Sequence, residues 1–176
     1  FLTKLSSGYW SIFDPTNGFT AIHKYSLSLL PFHDISQRYF FETDMLVALG
    51  GIRAKVLDMP MRAVYGDEVS GLKVKHILIE FTFKHIKAIF RRILYSYFFR
   101  DFSLASIHLP TGIIMLSFGI IYGSISWYVS AVTGVAATTG KVFLSALPII
   151  LGVQFLLNFL AFDIMNEPST PLQIHV

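Results

Sequence analysis

Two long stretches without a charged residue constrain this chain more than any other feature. Leu109 to Val132, LPTGIIMLSFGIIYGSISWYVSAV, runs for 24 residues, and Val142 to Phe162 runs for 21. At about 1.5 Å per residue, either can cross a hydrocarbon core of about 30 Å as a helix. Nine residues, TGVAATTGK, join them. So short a link leaves only an antiparallel hairpin. Pro110 stands at the start of the first run, where a missing N–H does no harm. Trp127 and Tyr128 near its far end suit a membrane interface. A two-helix transmembrane hairpin is therefore expected within 102–176. The tail NEPSTPLQIHV carries two prolines and is expected to stay loose.

The charges lie elsewhere. Of 14 Lys and Arg, 13 fall between Lys4 and Arg100. Charged residues are 14% of the 176, against about 25% in soluble domains. That argues against a purely soluble protein, and 53% hydrophobic residues argue against a disordered one. Cysteine is absent, which removes disulfides, Cys-ligated zinc and a cysteine nucleophile. Residues 72–101 hold seven basic side chains (Lys73, Lys75, Lys84, Lys87, Arg91, Arg92, Arg100) against Glu80 and Asp101. The turn between the apolar runs holds Lys141. By the positive-inside rule the N-terminal part is cytoplasmic, the turn is outside, and the chain returns to the cytoplasm from Asp163.

Residues 72–101 also show helical periodicity. Ile79, Phe83, Ile86, Phe90, Ile93 and Tyr97 recur at steps of four and three. Glu80, Lys84, Lys87 and Arg91 follow one position later. An apolar stripe with a basic flank is the pattern of a helix lying in the membrane surface. An ordinary surface helix packed on a core has the same periodicity. No base-reading module accompanies the basic cluster, so no nucleic-acid partner is expected.

Residues 1–71 read as mixed α/β. Asp14-Pro15-Thr16-Asn17-Gly18 is a turn signal between apolar runs. Arg38 to Leu49 reads as a helix closed by Gly50-Gly51. Lys55 to Ala63 alternates like a strand, and Tyr65-Gly66-Asp67-Glu68 is a polar loop. Three constellations can carry chemistry. The first is Asp14, Asn17 and Gly18, although Asx and Pro-Gly chemistry makes turns by itself. The second is Glu42 with Asp44 near a helix start; the helix dipole favours acids there in any case, and two carboxylates one residue apart can hold a base or orient a cation. The third is Arg62, Asp67, Glu68 and Ser70 around a glycine-containing loop, which can close over phosphate or sugar or simply connect.

The order of these segments resembles the C-terminal part of membrane-anchored family-2 glycosyltransferases of the polyprenyl-phosphate type, such as dolichol-phosphate mannose synthases. There a D-P-T-N-G-like segment precedes an acidic helix, here FFETDML. A G-x-x-S-x-L-like loop follows, here Gly66 to Leu72 with one more residue between glycine and serine, and leads to interface helices and a two-helix anchor. The resemblance implies an α/β fold, a partial GT-A (Rossmann-like) domain over 1–71. Amphipathic juxtamembrane helices would fill 72–101 and the hairpin 102–176. It places Glu42 at the catalytic acid position and Asp44 at the second. Substrate contacts would fall to Asp14, Asn17, Arg38, Arg62, Tyr65, Asp67, Ser70 and Lys73. The family's D-x-D metal motif does not occur here, so no metal ligand is assigned. A divalent cation (Mg²⁺ or Mn²⁺) would be held mainly by a donor-binding portion expected ahead of Phe1.

The implied reaction is inverting transfer of a sugar from a nucleotide sugar to a polyprenyl phosphate at the cytoplasmic face of a bacterial inner membrane, in envelope glycan synthesis. Alternatives are a hydroxyl-directed polysaccharide synthase and a non-enzymatic membrane adaptor. Gly112, Gly119 and Gly123 fall on related helix faces, a small-xxx-small pattern that would suit homo-oligomers.

Overall fold

The computed structural model describes residues 1–37, 39–60 and 74–175, with side chains except at 74–78 and 175. The elements are α1 (Leu2–Ser7), α2 (Lys24–Ser28), a 3₁₀ turn (Phe32–Asp34), α3 (Phe41–Gly51), α4 (Val74–Leu94), a π-helical turn (Tyr95–Arg100), α5 (Leu104–Thr133), α6 (Thr139–Met165) and a C-terminal 3₁₀ turn (Leu172–His175). Among the described residues there is no β-strand. The expectation of an α/β, Rossmann-like domain is thus overturned: the described chain is all-helical.

The reason shows in residues 55–60, the described part of the expected strand. Their alternation suggested a strand, yet among the described residues no strand pairs with them. Lys55 and every residue from Leu57 to Pro60 are exposed. An alternating pattern makes a strand only where one face is buried and the backbone finds a ladder partner. The rest of the expected strand, 61–63, and the expected loop at Tyr65 to Glu68 lie outside the described residues.

The chain divides into two compact units. One comprises 1–96 with 166–176, and the other 97–165. In the first, α1 packs on α3 and α4, and α3 packs on α4. Its core gathers Tyr9, Ile12, Leu30, Ile35, Met45, Leu49 and Ala54. α3 is buried on two opposite faces. Met45 and Leu49 join the core, while Thr43 and Val47, about 200° away on a 3.6-residue helix, are also buried. The two glycines expected to close this helix lie within its last turn. Gly50 is there for space: a Cβ would stand 2.4 Å from the Ser7 carbonyl oxygen. The left-handed residue beyond the helix is Arg53, at φ 57°.

The tail is not loose. Leu172 packs on the core of the first unit, and Gln173 Nε2 donates to Ser26 Oγ at 3.4 Å. Apolar burial and hydrogen bonding outweigh the two prolines.

The second unit is the hairpin of α5 and α6, two helices long and apolar enough to cross a membrane. α5 begins at Leu104, so Pro110 lies inside it. Gly134, at φ 67°, caps its end. The helices meet through glycines. A Cβ on Gly152 would lie 2.7 Å from the Leu116 backbone nitrogen, and one on Gly119 would lie 2.8 Å from the Ser145 carbonyl oxygen. The glycine face therefore serves contact within the chain, as small residues do where helix backbones approach closely in lipid. A homo-oligomer would need another face.

At the other end of the hairpin sits a buried acid. Asp163 is 2% exposed. It belongs to α6, not to a returning tail, and accepts a hydrogen bond from the Tyr97 hydroxyl at 2.5 Å. The Tyr97 ring packs edge-on against Phe159 and Phe162. The Ser106 hydroxyl donates to the Tyr97 carbonyl.

Gly152→Val forces a side chain into backbone that cannot yield. It is expected to destabilise the hairpin by about 1–3 kcal/mol, the usual cost of overpacking. Gly140→Ala, where nothing lies within 4 Å, is the control and is expected to be neutral. Melting midpoints in lipid nanodiscs check both.

Candidate functional site

Glu42 and Asp44 both lie in the first turn of α3, where negative charge is favoured. Residues two apart on a helix point about 200° away from each other, so this is not a converging pair. Asp44 is occupied: its Oδ2 accepts from the Ser36 N–H at 3.0 Å, which pins the segment entering the helix. Glu42 is half-buried and makes no hydrogen bond or ion pair among the described residues. It is the available carboxylate.

Asp14 and Asn17 fold onto their own backbone. Asp14 Oδ1 accepts from Thr16 N–H at 3.2 Å and from the Thr16 hydroxyl at 2.9 Å. Asn17 Oδ1 accepts from Phe19 N–H at 2.9 Å. Both are exposed, and the self-bonding is that of Asx turns. Arg38, Arg62, Tyr65, Asp67, Ser70 and Lys73 lie outside the described residues.

The backbone before this turn is held from a distance. The carboxylate of Glu167 accepts from Trp10 N–H at 3.2 Å, Ser11 N–H at 3.0 Å and the Ser11 hydroxyl at 2.5 Å. Asp58 Oδ2 accepts from Phe13 N–H at 2.6 Å. Tyr9 sits beneath, its hydroxyl donating to the Ala54 carbonyl. Burial, with the Glu167 charge adding and Arg53 opposing, pushes that hydroxyl's pKa upward. It is a structural donor rather than an acid.

α4 turns most of its apolar stripe outward, as the membrane-surface pattern leads one to expect, although Tyr97 at the end of the stripe is buried. Ile79, Phe83, Ile86 and Phe90 are 64%, 70%, 57% and 66% exposed. The buried face is the opposite one, with His85, Ala88 and Arg92. Arg92 donates through Nε at 3.1 Å and Nη2 at 2.8 Å to the Leu5 carbonyl, near the C-terminal end of α1, where positive charge is favoured. Gly8 caps α1 in the left-handed region at φ 83°, which favours glycine, and a Cβ there would also be 2.9 Å from Arg92 Nη1. Lys87 and Arg91 stand exposed beside the stripe. Lys84 pairs with Glu80 at 2.9 Å and lies 5.4 Å from the Phe40 ring centre.

His85 Nδ1 lies 3.1 Å from Ser6 Oγ, and its ring meets Phe40 edge-on. Ser6 is fully buried, so the pair is a packing contact and not an exposed nucleophile with its base. Sequence reasoning missed Glu167, Asp58, Arg53, His85 and Asp163. Only Asp163 carried a signal, an acid at the end of an apolar run.

Among the described residues no group of three His, Asp or Glu that could hold a metal ion converges, and Asp44 accepts from a backbone N–H. Comparison with protein-family models, curated proteins and solved structures finds no match to this chain.

Burial lowers the pKa of His85, with Asp44 partly opposing. An unfolded histidine protonates near 6.5; the folded one does so only at lower pH. The unfolded chain then binds more protons just below that value, so stability rises with pH there. This contribution is whole above pH of about 6.5 and declines as the pH falls below it. Melting followed by tryptophan fluorescence from pH 7.5 to 5 is expected to show the decline. His85→Asn is expected to flatten it.

Proposed function

We propose that this chain is the membrane-anchored, acceptor-side part of a family-2 glycosyltransferase. It moves a sugar from a nucleotide sugar to a polyprenyl phosphate, at the cytoplasmic face of a bacterial inner membrane. The order of the DPTNG, FFETDML and GDEVSGL segments supports the sugar-transfer part of this reading. One structural observation carries the lipid part: α4 turns an apolar stripe outward, with Lys87 and Arg91 exposed beside it. Such a face enters the headgroup region of a bilayer. Each basic residue there adds roughly 1 kcal/mol against an anionic leaflet. The α5–α6 hairpin holds the chain at that surface.

The acceptor decides what Glu42 does. A lipid phosphate is ionised near neutral pH, its second pKa being about 6. It attacks without a base and needs cations to hold it. A sugar hydroxyl must lose its proton, and a base then contributes about 10²–10⁴-fold. Glu42 here orients the acceptor and shapes the local field.

The test is transfer from labelled nucleotide sugars to polyprenyl phosphate in membranes holding the full-length gene product. A labelled, solvent-extractable lipid is expected. No labelled lipid across a panel of nucleotide sugars overturns the reading. Glu42→Gln is expected to lower transfer by about tenfold or less. A loss in the 10²–10⁴-fold range of a missing base, with donor binding intact, would instead mark a hydroxyl acceptor.

A further inference from the structure

The segment from Trp10 to Ile22 contains no regular helix or strand, so its backbone donors must be satisfied from outside. Among the described residues its tip, Asp14 to Gly18, bonds to itself and to Phe19. The position of that tip is therefore set by what holds residues 10–13. Ile12 is buried in the core, Lys4 Nζ donates to the Trp10 carbonyl at 2.8 Å, and two carboxylates take the backbone donors, Asp58 on Phe13 and Glu167 on Trp10 and Ser11. Glu167 makes the larger contribution, three hydrogen bonds to one carboxylate. Bonds to an ionised acceptor are about twice as strong as neutral ones.

Glu167 is itself held. Its neighbour Asn166 is gripped by Arg53, whose Nη1 donates to Asn166 Oδ1 at 3.3 Å and whose Nη2 donates to the Asn166 carbonyl at 3.4 Å. Arg53 reaches it from a left-handed backbone at φ 57°. Five residues on from Glu167, Leu172 seats in the core. The clasp thus has a carboxylate at its tip and anchors on both sides. It follows the end of α6 at Met165 by two residues.

We propose that Glu167 is a positioning residue for the Asp14–Gly18 loop, placing that loop for a substrate of the sugar transfer proposed above. The inference rests on that reading for its substrate, but the clasp can be measured without it. The full-length gene product in anionic nanodiscs is compared with Glu167→Ala, Glu167→Gln and Glu167→Asp. Hydrogen exchange is the first readout. Amides of Trp10 and Ser11 are expected to exchange about tenfold faster in Glu167→Ala, the effect of losing charge-assisted bonds. Glu167→Gln is expected to lie between and to keep the parental melting midpoint.

Kinetics are the second readout. KM for one substrate is expected to rise about fivefold with kcat little changed, the sign of lost binding geometry rather than lost chemistry. Glu167→Asp is expected to recover part of it. Unchanged exchange in Glu167→Ala overturns the clasp. Faster exchange with unaltered KM overturns the positioning role. If the parent transfers no sugar, the function above falls and with it the loop's substrate, while exchange alone decides the clasp.

Discussion

The polar inner face of α4 is the constraint on which the first unit depends. Arg92 sends two donors to the Leu5 carbonyl, and His85 sits on Ser6. A buried guanidinium is tolerable only when paired or hydrogen-bonded, and α1 supplies the acceptor where its dipole is negative. Once that face is committed to α1, the geometry of a 3.6-residue helix sends Ile79, Phe83, Ile86 and Phe90 the other way. The outward apolar stripe is thus a consequence of what the inner face must bury. In water such a stripe is a liability. In a chain that also carries two helices able to span a bilayer, such a stripe suits a membrane surface.

A second constraint is the absence of a sheet among the described residues. A sheet satisfies backbone donors in rows. Here the irregular stretch from Trp10 to Phe13 turns instead to side-chain carboxylates, Glu167 and Asp58. This ties together parts of the chain far apart in sequence, and it explains why the tail belongs to the first unit. The hairpin follows a different logic. Lipid offers little drive for apolar side chains to associate, so α5 and α6 gain from close backbone approach at Gly112, Gly119 and Gly152 and from the Tyr97–Asp163 bond.

What the sequence disclosed follows the same division. The hairpin and the periodicity of α4 were legible because both are local patterns of spacing and charge. The start of α3 was legible to within a few residues, as was the turn at Asp14-Pro15-Thr16-Asn17-Gly18. Periodicity alone states that two faces of α4 differ but not which one is covered; the adjoining spanning segment is what pointed its stripe toward a membrane. Residues 55–60 misled because alternation is necessary for a half-buried strand and not sufficient; the missing ladder partner is a non-local fact. Gly50-Gly51 read as a helix stop, whereas Gly50 answers to the Ser7 carbonyl on another element. Glu167 was invisible because nothing in NEPSTPLQIHV marks which backbone its acid will meet.

The two acids of α3 show how position divides labour between like groups. Both stand where the helix dipole favours negative charge, so their presence alone says little about chemistry. Asp44 spends its charge on the Ser36 N–H and thereby fixes the entry to the helix. Glu42, on another face, keeps its carboxylate free of partners among the described residues. On the sugar-transfer reading proposed above, an unpaired acid near the acceptor repels an approaching phosphate unless cations intervene. For a phosphate acceptor the basic residues of the juxtamembrane stretch must therefore dominate, with the acid shaping orientation. For a hydroxyl acceptor the same free carboxylate becomes the base. The carboxylate is one and the same in both cases, and the ionisation state of the acceptor decides which role it takes.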